Sequence, residues 1–424
     1  MSAPRRAGGR PVSTGQRGPR RPAAPTTPVE LELVITGLAA GGDGLGRDAG
    51  GRVTFVARTA PGDRVRVRLV QATASFARGV LLEVLAPGAA RVAPPCPQFA
   101  RGCGGCQWQH VSRAAQLAAQ HTTVAGALRK LPGIAVHPVD DPAPPLGWRR
   151  RARFHAHRGQ LGLYALGSHD VLALDHCPQL EPALDAALAH VAAAAPPDGE
   201  VALALGHRGE VVVGVERAWA GAAALVGTAG IVGVTTGDAR FGAPVIELEP
   251  GLWGGAWEFA QASAAGNAAL IARTRAALGP GPGTLLELYA GSGNITRALV
   301  ADGWQVTATD TTAPARPVAD AHLVGLAHEV LAGLAGPYDA VVLDPPRAGA
   351  AEAIAGIVRV APRVIVYVSC DPATLARDAM ALAAAGYVAT DAWPIDLMPQ
   401  TAHVEVVLRL VRGADATATD PRPA

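Results

Sequence analysis

Lysine is almost missing from this 424-residue chain: Lys130 stands alone against a combined Lys and Arg count of 37. With Ala and Gly abundant, that imbalance reads as coding bias and excludes no function. Other scarcities exclude more. No uninterrupted apolar run reaches the ~20 residues of a membrane-spanning helix, so no membrane association is expected, although 49% of residues are hydrophobic. The N-terminus has no apolar segment ahead of a cleavage site, which argues against export. Five cysteines are too few for a disulfide framework in a chain of this length, so the expected location is cytoplasmic. Net charge is only +2; the first 28 residues carry six arginines and no acid, which leaves −4 on the remainder. Binding to a polyanion through overall charge is thereby excluded, and local basic patches or the N-terminal arm would have to do it.

What is present divides into segments, with length enough for two or three domains. Residues 1–28, rich in Arg, Pro, Gly, Ser and Thr, predict a disordered basic tail. From Val29 the texture changes. Short runs with period-two alternation surround the glycine-rich turn Ala40-Gly41-Gly42-Asp43-Gly44-Leu45-Gly46 and predict a small β-barrel over 29–88. Arg64, Arg66 and Arg68 share one face of a strand there, a stripe suited to phosphate contacts or simply a solvated face. Residues 89–250 form a central unit, helical over 112–130 and strand-rich from 148. Its Trp148-Arg149-Arg150-Arg151-Ala152-Arg153 segment suits a nucleic-acid backbone or an exposed charged strand. In 251–412, near-continuous apolar runs such as Ala340-Val341-Val342-Leu343 alternate with helical patterns and predict a doubly wound α/β domain. Residues 413–424 predict a second disordered tail.

Four of the five cysteines form a set. Cys96, Cys103 and Cys106 follow Cys-x6-Cys-x2-Cys, and Cys177 is the distant fourth. Gly104 and Gly105 allow a tight turn between two thiolates, and four soft ligands suit either zinc or an iron–sulfur cluster.

The fifth, Cys370, belongs to another constellation. Leu286 to Thr296 runs strand, glycine turn, helix, with Gly291 and Gly293 allowing close approach of a ligand to backbone amides. Ile295-Thr296 replaces the third glycine of the dinucleotide fingerprint, which tilts the turn toward S-adenosylmethionine (AdoMet). Asp310 ends the next strand, where a carboxylate can accept ribose hydroxyls. Asp344-Pro345-Pro346-Arg347 and Cys370-Asp371-Pro372 end two further strands at the same sheet edge. Cys370 lies just ahead of a helix N-terminus, a place expected to lower a thiol pKa. A thiolate there can add to carbon 6 of a pyrimidine, turning carbon 5 into a nucleophile toward a methyl donor. A base must then take the carbon 5 proton, and Glu405 and His403 in the closing Thr401-Ala402-His403-Val404-Glu405 are its candidates.

Taken with Phe259-x-Gln261 and Tyr289-x-Gly-x-Gly-Asn294, these motifs make the chain resemble the RNA 5-methyluridine (uracil-C5) methyltransferases over roughly residues 29–411. The similarity is to the branch with a TRAM domain and an iron–sulfur cluster, and most of all to the 23S ribosomal RNA enzymes. It implies an α/β fold: a Rossmann-like AdoMet-dependent methyltransferase domain, an OB-like TRAM barrel that binds RNA, and a central cluster-bearing α+β domain. It implies a 4Fe-4S cluster on Cys96, Cys103, Cys106 and Cys177, Cys370 as nucleophile and Glu405 as proton acceptor. AdoMet contacts are implied at Gln261, Tyr289, Asn294, Asp310 and Asp344. Ribosomal RNA is the expected substrate, transfer RNA the alternative, and a monomer the expected state. Ala290 stands where the family usually has Cys, Ser263 where Asn is common, and Asp310 where Glu is usual. The interval from Asp310 to Asp344 is short, as though part of a helix and strand that cover the adenine were missing. Two other readings remain at this stage. An amino-directed nucleic-acid methyltransferase would use Asp-Pro-Pro but not Cys370, and a non-catalytic RNA-binding protein would use only the barrel and the cysteines.

Overall fold

The computed structural model describes residues 29–314 and 316–413; the expected basic tail 1–28, and the expected C-terminal tail from 414 onward, lie outside the described residues. Strands β1 (Glu30–Leu38), β2 (Gly44–Arg47), β3 (Val53–Val56), β4 (Arg64–Ala72) and β5 (Phe76–Ala86) close into a barrel in the order β1-β2-β3-β5-β4. Alternation builds it: Leu33, Ile35, Val65 and Val67 fill the interior while the intervening residues face water. The arginine stripe of β4 does point outward, yet register sets carboxylates beside it. Arg66 pairs with Glu83 at 2.9 Å and Arg68 with Glu30 at 2.8 Å, which leaves less positive charge for a phosphate than the sequence suggested.

The barrel is fastened to the cysteine segment that follows. Arg58 donates to the carbonyls of Phe99 (2.9 Å) and Cys103 (2.7 Å) and stacks 3.5 Å over the Phe99 ring. Trp108 Nε1 donates to Gly42 O at 2.9 Å. Gly42 has φ +95° and would, with a Cβ, meet Gln107 at 2.9 Å, so both its conformation and the close approach call for glycine. Helix α1 (Pro97–Ala100) is a single turn here, followed by α2 (Arg113–Leu128) and the short β6 (Ala135–Val136).

Strands β7 (Arg151–His157), β8 (Gln160–Tyr164) and β9 (Val171–Ala173) join β10 (Gly199–Leu205), β11 (Val211–Val215), β12 (Ile231–Thr236) and β13 (Ala239–Gly242). Together they form a seven-stranded sheet ordered β13-β12-β11-β10-β7-β8-β9. Helices α3 (Pro182–Ala193) and α4 (Ala222–Leu225) cover one face; the hairpin β14 (Ile246–Glu249), β15 (Leu252–Gly254) packs on part of the other.

The C-terminal unit runs α5 (Ala264–Leu278), β16 (Gly283–Leu288), α6 (Thr296–Ala301), β17 (Trp304–Asp310), β18 (Ala321–Val324), α7 (Ala327–Gly333), β19 (Ala340–Leu343), α8 (Ile354–Arg359), β20 (Val364–Ser369), α9 (Pro372–Ala384), β21 (Tyr387–Ile395) and β22 (Glu405–Arg412). Its sheet has the order β18-β17-β16-β19-β20-β22-β21-β6, parallel from β18 through β20 and antiparallel at β22. The expected doubly wound α/β architecture is present, with apolar cores on both faces. Two features differ from the sequence reading. Although α2 and β6 fall within residues 89–250, β6 extends the C-terminal sheet, and Val124, Leu128 and Leu131 sit in its core. Between β17 and β18 the described residues of 311–320 contain no helix, where a parallel crossover ordinarily carries one, and β18 is a strand of four residues.

Candidate active site

Parallel strands deliver their carboxyl ends to one edge, and the predicted site residues gather there. Tyr289 follows β16 with φ +62°, an uncommon conformation for a non-glycine residue, and begins the turn through Gly291 (φ +56°) and Gly293 (φ +89°). Asp310, ending β17, accepts the Gly291 amide at 2.8 Å and the Thr312 amide at 3.2 Å. The short 311–320 segment comes back over the turn, since a Cβ on Gly293 would lie 3.0 Å from Val318. Gln261 lies in the segment before α5, its carbonyl accepting Arg151 Nε at 3.3 Å. Asn294, next in the glycine turn, has its side-chain amide paired with Asn267 of α5 in both directions, at 2.7 and 2.9 Å.

Further along the edge, Asp344 follows β19 and Cys370 follows β20, while Glu405 opens the antiparallel β22 beside them. These three groups feel one another's charge, and Arg347 is the cation among them. Burial and the neighbouring Asp344 hold Glu405 well above the usual carboxylate range, against the pull of Arg347. Burial likewise raises Asp344. Burial and the Glu405 charge push the Cys370 thiol up, with Arg347 opposing. This reverses the sequence expectation of a lowered thiol. Burial and the acidic neighbours Glu405 and Asp344 outweigh whatever the helix end supplies; the α9 terminus itself is capped by Asp371, whose carboxylate accepts the Ala373 and Thr374 amides at 2.9 Å. His403 stands lower than an ordinary histidine through burial and the charges of Arg347 and Arg149.

Sequence reasoning missed Glu287, although an acid inside the apolar run Leu285-Leu286-Glu287-Leu288 was a readable signal. It is buried in β16, its Oε2 has no hydrogen-bond partner among the described residues, and burial pushes its pKa up to about 8. A folded-state value above the unfolded one means that the unfolded chain releases its proton first as pH rises, so the group destabilises progressively between about pH 4.5 and 8. Glu287→Gln is accordingly expected to raise stability by about 3 kcal/mol at pH 7, with no gain at pH 4. Thermal melting of both proteins across that range checks it; an equal shift at every pH would contradict the assignment.

The four remaining cysteines line one cavity of about 90 Å³ together with Trp148, Arg149, Gln179 and Thr401. Among the described residues no three Cys, His, Asp or Glu side chains converge closely enough for a single metal ion, and the four thiols are set around a space. Trp148 Nε1 and both side-chain polar atoms of Gln179 are buried at this cavity without partners among the described residues. Such donors are costly unless something accepts from them. Arg149 is half-buried beside Cys106 and Cys177, and Arg58 half-buried beside Cys103, so positive charge faces the thiols. The Trp148–Arg153 segment is thus largely internal. Arg150 is buried against Glu181 and Glu249, and only Arg153 of the four arginines is well exposed.

Barrel, glycine turn and catalytic-edge cysteine define an AdoMet-dependent RNA methyltransferase class, and comparison with known proteins narrows it. The TRAM domain family matches residues 29–82, and the tRNA (Uracil-5-)-methyltransferase family matches residues 336–412. An RNA methyltransferase of Thermosynechococcus vestitus is 32% identical over 439 residues, covering 90% of this chain and 97% of its own. The 23S rRNA (uracil(1939)-C(5))-methyltransferase RlmD of Halomonas elongata is 32% identical over 443 residues, with 89% of each chain covered. The solved Pyrococcus abyssi tRNA (uracil-54, C5)-methyltransferase, in complex with S-adenosyl-L-homocysteine, superposes with a TM-score of 0.70 at 22% identity, over 90% of this chain and 100% of that one. The chain belongs to the RNA uracil-C5 methyltransferase family and uses AdoMet to methylate carbon 5 of uracil in RNA.

Proposed function

We propose that the substrate is ribosomal RNA and that Cys370 and Glu405 carry the reaction. The observation behind the mechanism is the meeting of Cys370, Glu405, Asp344 and Arg347 at one sheet edge, each charge felt by the others. Cys370 adds through sulfur to C6 of the flipped-out uracil, and the electron pair of the C5–C6 double bond moves to C5. AdoMet, when bound, supplies the methyl group that C5 attacks. Glu405 then removes the C5 proton, the double bond re-forms and the thiolate leaves. Arg347 favours the ionised forms of both Cys370 and Glu405. Tyr289, Gly291, Gly293, Asn294, Asp310 and Gln261 would contact AdoMet, and Asp344, after β19 between β16 and β20, would stand between the glycine turn and the thiol. The ribosomal target follows the printed activity of relatives such as the Halomonas elongata enzyme, which match this chain almost end to end.

The cysteine cavity fits a 4Fe-4S cluster on Cys96, Cys103, Cys106 and Cys177 better than one zinc ion. Its thiols surround a volume, it offers orphaned N–H donors of the kind that hydrogen-bond cluster sulfur, and two arginines offset the negative charge of four thiolates. Such a cluster would knit the loop at 96–106 to Cys177, in the loop between β9 and α3 of the central unit.

One preparation tests these readings. Anaerobically purified protein is expected to hold about four iron and four sulfide per chain, and to release tritium from uracil carbon 5 of unmodified ribosomal RNA but not transfer RNA. Zinc in place of iron would reject the cluster, and release from transfer RNA alone would reject the ribosomal target.

A further inference from the structure

The loop 396–404 between β21 and β22 delivers Glu405 to the reaction edge, and its hydrogen bonds lead mainly to the segment just after the cysteine loop. Trp108 N, two residues past Cys106, donates to Gln400 O at 2.9 Å. Gln116 Nε2 of α2 lies 2.9 Å from Gln400 Oε1 and 2.8 and 3.1 Å from the Val111 and Trp108 carbonyls, while Gln116 Oε1 accepts Gln400 N at 3.3 Å. Gln120 Nε2 donates to His403 O at 2.8 Å. All three glutamines are buried, and Gln400 has φ +70°, a conformation that a non-glycine residue keeps only where its surroundings fix it. The same loop forms part of the cysteine cavity through Thr401, and Arg149 of that cavity reaches Met398 Sδ at 3.7 Å. A buried amide pair matched on both sides is a device for geometry, since unmatched alternatives leave polar groups without partners.

We infer that Gln116 and Gln400 are positioning residues that set Glu405 for proton removal and tie its placement to the cysteine loop. The inference rests on the reading of Glu405 as proton acceptor. In that step the Glu405 carboxylate takes the proton from C5, the C–H electron pair forms the C5–C6 double bond, and the C6–S bond breaks to return Cys370 as thiolate. A loop that has drifted leaves the earlier steps running and the last one slow, so methylated RNA stays bonded to Cys370.

The test uses full-length, iron-containing Gln116→Leu and Gln400→Gly, the latter chosen because glycine accepts φ +70° and leaves α2 and its core untouched. Each is mixed with unmodified ribosomal RNA and methyl-labelled AdoMet in a single turnover. Label entering RNA is followed, as is the labelled RNA that migrates with protein on a denaturing gel. The expected result is methyl transfer within a few-fold of the parent, product release slowed about tenfold or more, and a gel-stable adduct that accumulates. Iron content and AdoMet affinity stay at the parent's values. Glu405→Gln is the reference and should trap the same adduct. If it releases product normally, the reading of Glu405 fails and the inference with it. If Glu405→Gln traps the adduct while Gln400→Gly releases product at the parent's rate, or loses transfer and release together, the positioning role fails alone. Should Gln116→Leu lose iron or unfold, Gln400→Gly decides the matter.

Discussion

Alanine at position 370 is expected to abolish methylation, by at least about 10⁴-fold, with AdoMet binding retained. Carbon 5 of uracil is a poor nucleophile, and the sulfur of Cys370 is the group at this edge that can add to carbon 6 and change that. Retention of AdoMet follows from the sheet order: Cys370 follows β20, two strands from the glycine turn after β16, with β19 between them. The variant also leaves the Asp371 cap of α9 in place. Tritium release from carbon 5 and AdoMet titration, made on the same preparations, check both halves. Activity persisting in the alanine variant would return weight to an amino-directed methyltransferase, which needs no thiol.

Arg347→Met should produce the next largest loss, about 10–100-fold at pH 7, with the loss shrinking only as pH rises past the parent's raised thiol pKa. The thiol already stands above its ordinary value, and Arg347 is the cation that holds it back. Removing that charge raises Cys370 further and raises Glu405 in the same direction. Both groups must lose a proton to act, so the rising limb of the pH–rate profile moves to higher pH. Each unit of movement costs about tenfold in ionised thiol below the pKa. Arg347 is itself exposed, so solvent screening keeps its effect on both groups modest. A profile lowered by the same factor at every pH would mean that Arg347 binds RNA and does not tune the thiol.

Much of this could be read from the chain because the informative features are local. Period-two alternation in Arg64-Val65-Arg66-Val67 marks a barrel strand wherever it occurs, and a glycine turn between an apolar run and a helix marks a ligand-facing edge. The cysteine spacing likewise brought out four residues that do share a cavity. What escaped depends on partners distant in sequence. Nothing near Arg66 or Arg68 announces Glu83 or Glu30 across the barrel, and nothing near Asn294 announces Asn267. The direction of the thiol pKa escaped for the same reason: burial of Cys370 and the approach of Glu405, 35 residues further along the chain, are properties of the assembled sheet edge. Glu287 was legible as an oddity, while its pKa is a property of the finished core.

The strand β6 has a bearing on how this protein could be cut or recombined. Taken by motif alone, residues 251–412 look like a module that a gene fusion could carry elsewhere. A chain starting at 251 would lack the outermost strand of its own sheet, and it would bare the apolar face of α9 and β21 on which Val124, Leu128 and Leu131 rest. The catalytic unit is completed by chain made before the central sheet. Inheritance of this enzyme is therefore all or nothing, and a natural or engineered truncation that spares every motif of the methyltransferase domain still removes part of its core.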